Sequence, residues 1–345
     1  MRAPSHFFPD PSPSLFDALA TVALSPLGLA YGLVASRRLK SEGAKAPVPV
    51  ICVGNPVAGG AGKTPTALAL ARMLREAGAR PVFLSRGYGG AITRPHHVDP
   101  AHDSAFDVGD EALLLARSGP SVIAADRVAG AALAAEYGDV IVMDDGFQNP
   151  SLQKDLSLLV IDRLQGLGNG LPLPAGPMRA FLSPQMARAD AVILIGESGT
   201  PNRASPAVRE AARRAKPVFS ARFTAPLPER CLSRPLIAFT GIGRPQKFLE
   251  TVTSGGGTVV GFRPFGDHHV YMAGDAERLM AEAERENALL VTTEKDAVKL
   301  AGHPKLDELA ARVIVVPGQL SFEDEAGLMS RLIAPLARKA RASHS

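Results

Sequence analysis

The sequence predicts an α/β protein: a mostly parallel sheet domain, a second, smaller α/β domain, and an apolar helical segment at the amino terminus. Three observations predict it. Short runs rich in valine, isoleucine and leucine recur as "VPVICVG", "PVFLSRG", "SVIAAD", "DVIVMDD", "SLLVID" and "AVILIG". Continuous apolar runs of this length fit strands covered by helices on both faces. A second series, "LIAFTGIG", "GTVVGF", "ALLVTTEKD" and "RVIVVPG", begins after the proline-rich stretch "KPVFSARFTAPLPERCLSRP". Finally, the chain is nearly all apolar from Leu15 to Ala35, and Arg37, Arg38 and Lys40 follow at once.

The 345 residues give room for about two domains of ordinary size. A hydrophobic share of 46% and a charged share of 21% match a folded globular chain and exclude global disorder. Cys52 and Cys231 are the two cysteines and lie far apart, which excludes a disulfide framework and gives no zinc pattern. They point to a reducing compartment. The net charge of +4 suits anionic partners without choosing among them. With no Trp and 4 Tyr there is little surface on which single-stranded bases could stack, so nucleic acid is not expected as a partner.

Taken in order, residues 1–45 form the apolar segment. Asp17 and Ser25-Pro26 interrupt it, and its basic cluster stands on the wrong side for a signal peptide. From these residues alone, a buried helical hairpin and an interfacial membrane anchor both stay open. Residues 46–215 carry the first strand series, with a helix at Thr64–Ala77 and another that opens on Asp110 and Glu111 and has Gly119 past its end. Residues 216–233 read as a connection. Residues 234–336 carry the second series, with helices near Gly274–Glu286 and from about Glu323 to Leu336. Residues 337–345 read as a frayed polar tail.

The stretch "NPVAGGAGKTP" is where chemistry enters. A phosphate-binding loop wants G-x-x-x-x-G-K-[ST] between a strand and a helix. Gly62, Lys63 and Thr64 fit, and Val57 stands where the first glycine belongs. Gly59 and Gly60 supply the missing backbone freedom. Pro65 falls in the first helical turn, where its lacking N–H costs nothing. The first domain is therefore of the P-loop NTPase type. Val57, Ala58, Gly59, Gly60, Ala61, Gly62, Lys63 and Thr64 are expected to cradle a polyphosphate, with Lys63 against its terminal groups and the Thr64 hydroxyl toward Mg²⁺. In "VIVMDDGFQ", Asp144 and Asp145 end an apolar strand at the carboxyl edge, where parallel sheets bind ligands. Asp110 and Glu111 open a helix near the same edge.

These motifs, together with "SRGYGG", "DVGDEALLLA", "GNGLPLPAGPMR", "FGDHH" and "VTTEKDAVKL", occur in an order that resembles the tetraacyldisaccharide 4'-kinase family, from about Ser25 to Leu336. The resemblance implies transfer of the γ-phosphoryl group of ATP to the 4'-hydroxyl of an acylated glucosamine disaccharide 1-phosphate, giving lipid IV-A in lipid A biosynthesis. It implies work at the cytoplasmic face of a bacterial inner membrane, with no obligate protein partner, and so favours a membrane role for the amino-terminal segment. Asp110 becomes the candidate base, with His268 or its neighbour His269 as its partner from the second domain. Thr64, Glu111, Asp144 and Asp145 are expected in the Mg²⁺ shell or on its waters. Arg86, Asn169 and Arg179 are expected to meet substrate. The family often has a basic residue where this chain has Leu171. Glu294, Lys295 and Asp296 are expected at the cleft, as nucleotide contacts, closure contacts or a structural ion cluster. The "GGAGKT" loop also looks like that of the partitioning and metallochaperone ATPases, which carry a lysine where Ala58 stands.

Overall fold

The computed structural model describes residues 4–8, 14–197 and 202–342. Eight strands of its larger sheet come first in the chain: β1 (Val50–Gly54), β2 (Pro81–Ser85), β3 (His96–His97), β4 (Ser121–Ile123), β5 (Val140–Asp144), β6 (Leu156–Asp162), β7 (Ala191–Ile195) and β8 (Val218–Thr224). A smaller sheet follows, from β9 (Leu236–Thr240), β10 (Val259–Pro264), β11 (Leu289–Thr293) and β12 (Ile314–Val316). The chain then returns, and β13 (Gln319–Phe322) pairs with β8.

Across the larger sheet the order is β13-β8-β7-β6-β1-β5-β2-β4-β3. Every pair from β8 to β4 is parallel, and only the two edge pairs run antiparallel. β1, β2, β5, β6 and β7 are buried along their whole length. That burial is why they lack the alternation of a half-exposed strand. β1 lies between β5 and β6, and its register sets Val53 beside Asp144. The phosphate-loop candidate and the acidic strand end are thus neighbours at one edge of the sheet.

Three expectations need correction. The stretch 216–233 is not merely a connection, because Val218–Thr224 forms β8, with Phe219 and Ala221 in the large-sheet core. Alternating burial carries that strand, and the prolines stand outside it. The second series also ends before 336. Leu320, Phe322, Leu328 and Ile333 pack with Ile51, Leu70 and Phe83 under the larger sheet. Nor is the carboxyl end a frayed tail as far as it is described: a helix runs over Ala334–Ala342, and Ala337 and Ala340 are buried. Residues 343–345 lie outside the described residues.

The amino-terminal segment is one helix, Leu15–Arg38, and not a buried hairpin. Ser14 caps it by accepting from the Asp17 N–H. Its buried residues are Gly28, Gly32 and Ser36, spaced to lie on one face. A Cβ on Gly32 would stand 2.7 Å from Pro172 and 2.9 Å from the Phe181 ring, so only a hydrogen permits this approach. Leu15, Phe16, Leu19, Val22, Leu27, Leu33 and Val34 remain exposed on the other faces.

Candidate active site

The loop after β1 folds back on itself. Gly59 and Gly62 take φ of 115° and 87°, values that favour glycine. Asn55, fully buried, donates from Nδ2 to the Gly59 carbonyl at 3.0 Å and holds the bend closed. Gly59 and Gly60 face outward, and Gly62 caps the helix Lys63–Glu76. The first N–H groups of that helix have no carbonyl one turn earlier, and its dipole adds a partial positive charge at the same place. Two of the expected phosphate contacts have other partners. Val57 is buried and bridges to Met178, and the Ala58 N–H donates to the Pro177 carbonyl at 2.7 Å. Both tie the loop to the "GNGLPLPAGPMR" segment, so Gly59 to Thr64 remain as the candidate cradle.

At the end of the loop, the Thr64 hydroxyl donates to Asp144 Oδ2 at 2.8 Å. Asp144 is buried, and burial together with the nearby Glu111 charge pushes its carboxyl up to about 7. Its Oδ1 has no hydrogen-bond partner among the described residues. Asp145 has a different setting. It takes φ of 54°, receives Arg179 Nη1 at 2.7 Å and Nη2 at 3.2 Å, and lies 3.8 Å from Lys63 Nζ. Burial opposes its ionisation, but Lys63 and Arg179 outweigh it and hold the carboxyl below the usual range. Adjacent in sequence, the two acids have divided: one is short of partners and the other has two cations.

Asp110 begins the helix Asp110–Ala116 after Gly109, whose φ is 88°. A Cβ on Gly109 would stand 2.4 Å from the Tyr88 carbonyl, so glycine is required for the close approach of the two loops. From the smaller sheet, His268 reaches Asp110 with Nδ1 at 3.0 Å from Oδ2. His268 itself has φ of 57°, an uncommon conformation held by its N–H donating to the Gly241 carbonyl at 3.1 Å. Burial pushes the Asp110 carboxyl up, yet the hydrogen bond from His268 and the Lys295 charge bring it below its ordinary value. The same bond raises His268 against its own partial burial. His269 turns away and bonds Asp275 at 3.0 Å, so the geometry selects His268 of the two.

A family model described as tetraacyldisaccharide-1-P 4'-kinase matches residues 20–337. The tetraacyldisaccharide 4'-kinase of Methylobacterium sp. (strain 4-46) is 50% identical over 341 residues, covering 98% of each chain. That of Rhodopseudomonas palustris (strain BisB18) is 46% identical over 348 residues, covering 100% of this chain and 98% of its own. A crystal structure of LpxK from Aquifex aeolicus in complex with ATP has a TM-score of 0.69 at 26% identity, covering 93% of this chain and 99% of that one. The chain belongs to the tetraacyldisaccharide 4'-kinase family. Membership sets aside the partitioning and metallochaperone reading of the loop.

Within this family member the remaining expected contacts have mixed fates. Asn169 donates to the His6 and Ala175 carbonyls at 2.9 and 2.8 Å and accepts from the Leu171 N–H at 3.0 Å. Its side chain builds the loop and leaves little to offer a ligand. Arg179 points at Asp145 and Gln148. Arg86 is exposed at the end of β2. Glu111 accepts from Lys295 at 3.2 Å. Glu294 accepts the Gly318 N–H at 2.9 Å, and buried Asp296 accepts from Thr240, Thr293 and the Gly241 N–H. The sequence reading missed Asn55 and Gln148, which donates to the Asn55 carbonyl at 2.9 Å and to Gln185 at 3.0 Å. An asparagine right after the strand and a glutamine in "DDGFQ" were the only signals. It also missed Arg127, which opens the helix Arg127–Ala134 and, buried, donates to the Ser85 and Ala124 carbonyls.

Proposed function

We propose that this chain performs its family's reaction, transferring the γ-phosphoryl group of ATP to the 4'-hydroxyl of a tetraacylated glucosamine disaccharide 1-phosphate, between its two sheets. The observation that carries the assignment of roles is the Asp110–His268 contact, set at the same sheet edge as Lys63, Thr64 and Asp144. Lys63 and the amides from Gly59 to Thr64 bind and orient the triphosphate. Asp110, ionised at neutral pH, accepts the sugar hydroxyl proton. As a weak base it takes that proton late, once the bond from oxygen to phosphorus has made the hydroxyl more acidic. His268 holds the carboxylate in place. The lobes exclude water from the γ-phosphate when they close.

Magnesium takes oxygen ligands and keeps several of its waters when phosphates supply the rest. Thr64 Oγ1 and the partnerless Asp144 Oδ1 form such a donor set, so the residues fit the ion and would hold it. Bound there, Mg²⁺ would neutralise charge on the phosphate oxygens. Asp145 is matched already by Arg179 and Lys63 and serves to fix those two cations.

The exposed apolar faces of Leu15–Arg38 support a seat at the membrane, where the substrate's acyl chains reside. An 18-residue window of this helix has a mean hydropathy of 1.7. Its carboxyl half rests on Pro172 and Phe181 through Gly32, so the part that stands clear of that segment, Leu15 to Leu27, is about 20 Å long at 1.5 Å per residue. That falls short of a hydrocarbon core of about 30 Å. The helix therefore dips into one leaflet, on the cytoplasmic side where ATP is found, with Arg37 and Arg38 at the headgroups. The test is direct. Purified protein, labelled ATP and detergent-dispersed tetraacyldisaccharide 1-phosphate should give label in the lipid phase. ATP hydrolysis indifferent to the lipid would refute the proposal.

A further inference from the structure

A short turn ahead of the apolar helix is packed against the protein. Ser5–Phe7 forms a single 3-10 turn, and His6 and Phe7 are 9% and 8% exposed. On one side the turn meets the start of Leu15–Arg38, where the Ser5 hydroxyl donates to Asp17. On the other it meets the loop 168–176. Asn169 donates from Nδ2 to the His6 carbonyl at 2.9 Å, and the Asn169 N–H donates to the Phe7 carbonyl at 3.0 Å. His6 Nε2 lies 3.3 Å from the Pro174 carbonyl. A Cβ on Gly168 would stand 2.2 Å from the Phe7 carbonyl, so only glycine lets the two backbones come this close.

We infer that His6 and Phe7 are positioning residues for the acylated substrate: they brace the amino half of the apolar helix against the loop 168–176, so that helix and loop present one fixed surface to the lipid. Gly28 and Gly32 seat the carboxyl half of the helix on Pro172, Ala175 and Phe181. From Gly28 back to Asp17 is about 17 Å of helix at 1.5 Å per residue. A rod of that length held at one end pivots on its seat. The Ser5–Asp17 contact gives it a second hold, and the same turn grips the loop through Asn169 and Gly168.

The loop passes this restraint on toward the phosphate. Met178 bridges to Val57, the Pro177 carbonyl accepts the Ala58 N–H, and Arg179 reaches Asp145. The brace thus fixes where the lipid surface stands relative to the Gly59–Thr64 cradle. A turn of three residues has no stability of its own. Burial of the Phe7 ring keeps it seated, which makes that ring the place to test it.

The inference rests on the kinase reading above, and the labelled-ATP assay separates the two. Phe7→Ser should raise KM for detergent-dispersed tetraacyldisaccharide 1-phosphate about 5- to 20-fold and leave kcat and KM for ATP within about twofold, the pattern of lost binding with the chemistry intact. Phe7→Leu, which keeps a buried apolar side chain, should restore the lipid KM to within about twofold of wild type. In an Asn169→Ala background, where the loop has already lost its side-chain hold on the turn, Phe7→Ser should add less than about twofold. Should melting show that Phe7→Ser does not fold, Phe7→Ala replaces it. An unchanged lipid KM overturns the inference, as does a rise in KM for ATP as large as that for the lipid. Wild-type protein that leaves the lipid unlabelled overturns the functional reading instead.

Discussion

The proposed phosphate side and the proposed hydroxyl side of this site are built in opposite ways. Asp144 and Asp145 stand at the end of β5 in the larger sheet, and Lys63 and Thr64 open the helix that follows its neighbour β1. Asp110 and His268 are 158 residues apart and come from different sheets. The first half is as rigid as the strands that carry it. The second exists only while the smaller sheet rests on the helix Asp110–Ala116. The contrast teaches that nucleotide binding and transfer can be separated: one half can be damaged while the other stays intact.

The largest test of that contrast is Lys63→Ala, which removes a charge from the rigid half. It should lower kcat/KM on the order of 10³-fold and weaken ATP binding as well. Activity and nucleotide affinity both at wild-type levels would end the phosphate-side assignment. Next comes His268→Ala on the assembled half, expected to lower kcat roughly 10²-fold while ATP affinity measured by titration calorimetry holds. If affinity falls as far as kcat, the two halves are not separable. A smaller effect is expected from Gly32→Val, whose side chain would strike Pro172 and Phe181. Strain of about 1–3 kcal/mol should loosen the helix from the "GNGLPLPAGPMR" segment and raise KM for the lipid without touching KM for ATP. An unchanged lipid KM would remove that segment from substrate binding.

The smallest effect is on pH dependence. Asp110 raises the pKa of His268 above its ordinary 6.5, chiefly through their hydrogen bond. A histidine raised in the folded state contributes stability fully below its unfolded pKa and loses it as pH climbs through the folded one. The melting-temperature gap between wild type and His268→Gln should therefore be wider near pH 6 than near pH 8. A gap of equal width would mean the imidazole charge does little to hold the sheets together.

Legibility followed the same division. The cradle and the acidic strand end could be read because each lies within a few residues of a strand that announces itself by composition. Where the structure gives an expected contact another partner, that partner is remote in sequence or belongs to another loop. Ala58 looked like a phosphate contact, but its N–H belongs to Pro177. Asn169 looked like a substrate contact, but its amide closes its own loop onto His6 and Ala175. Strand β8 was hidden among prolines, and β13 by the expectation that a second series continues to its end.

By itself the sequence determined most of the buried strands, the Gly-Lys-Thr loop after the first of them, an apolar amino-terminal segment and, through its assembled motifs, the family. These are local: a run of valines, a Gly-Lys-Thr after a strand, Asp17 as the one charge from Leu15 to Ala35. The tertiary structure decided which of two adjacent histidines meets Asp110, which of two adjacent aspartates is left without a partner, and that Lys295 lies beside both His268 and Glu111. Those choices turn on direction and distance between elements far apart in the chain. Backbone register and packing set such quantities, and residue order does not express them.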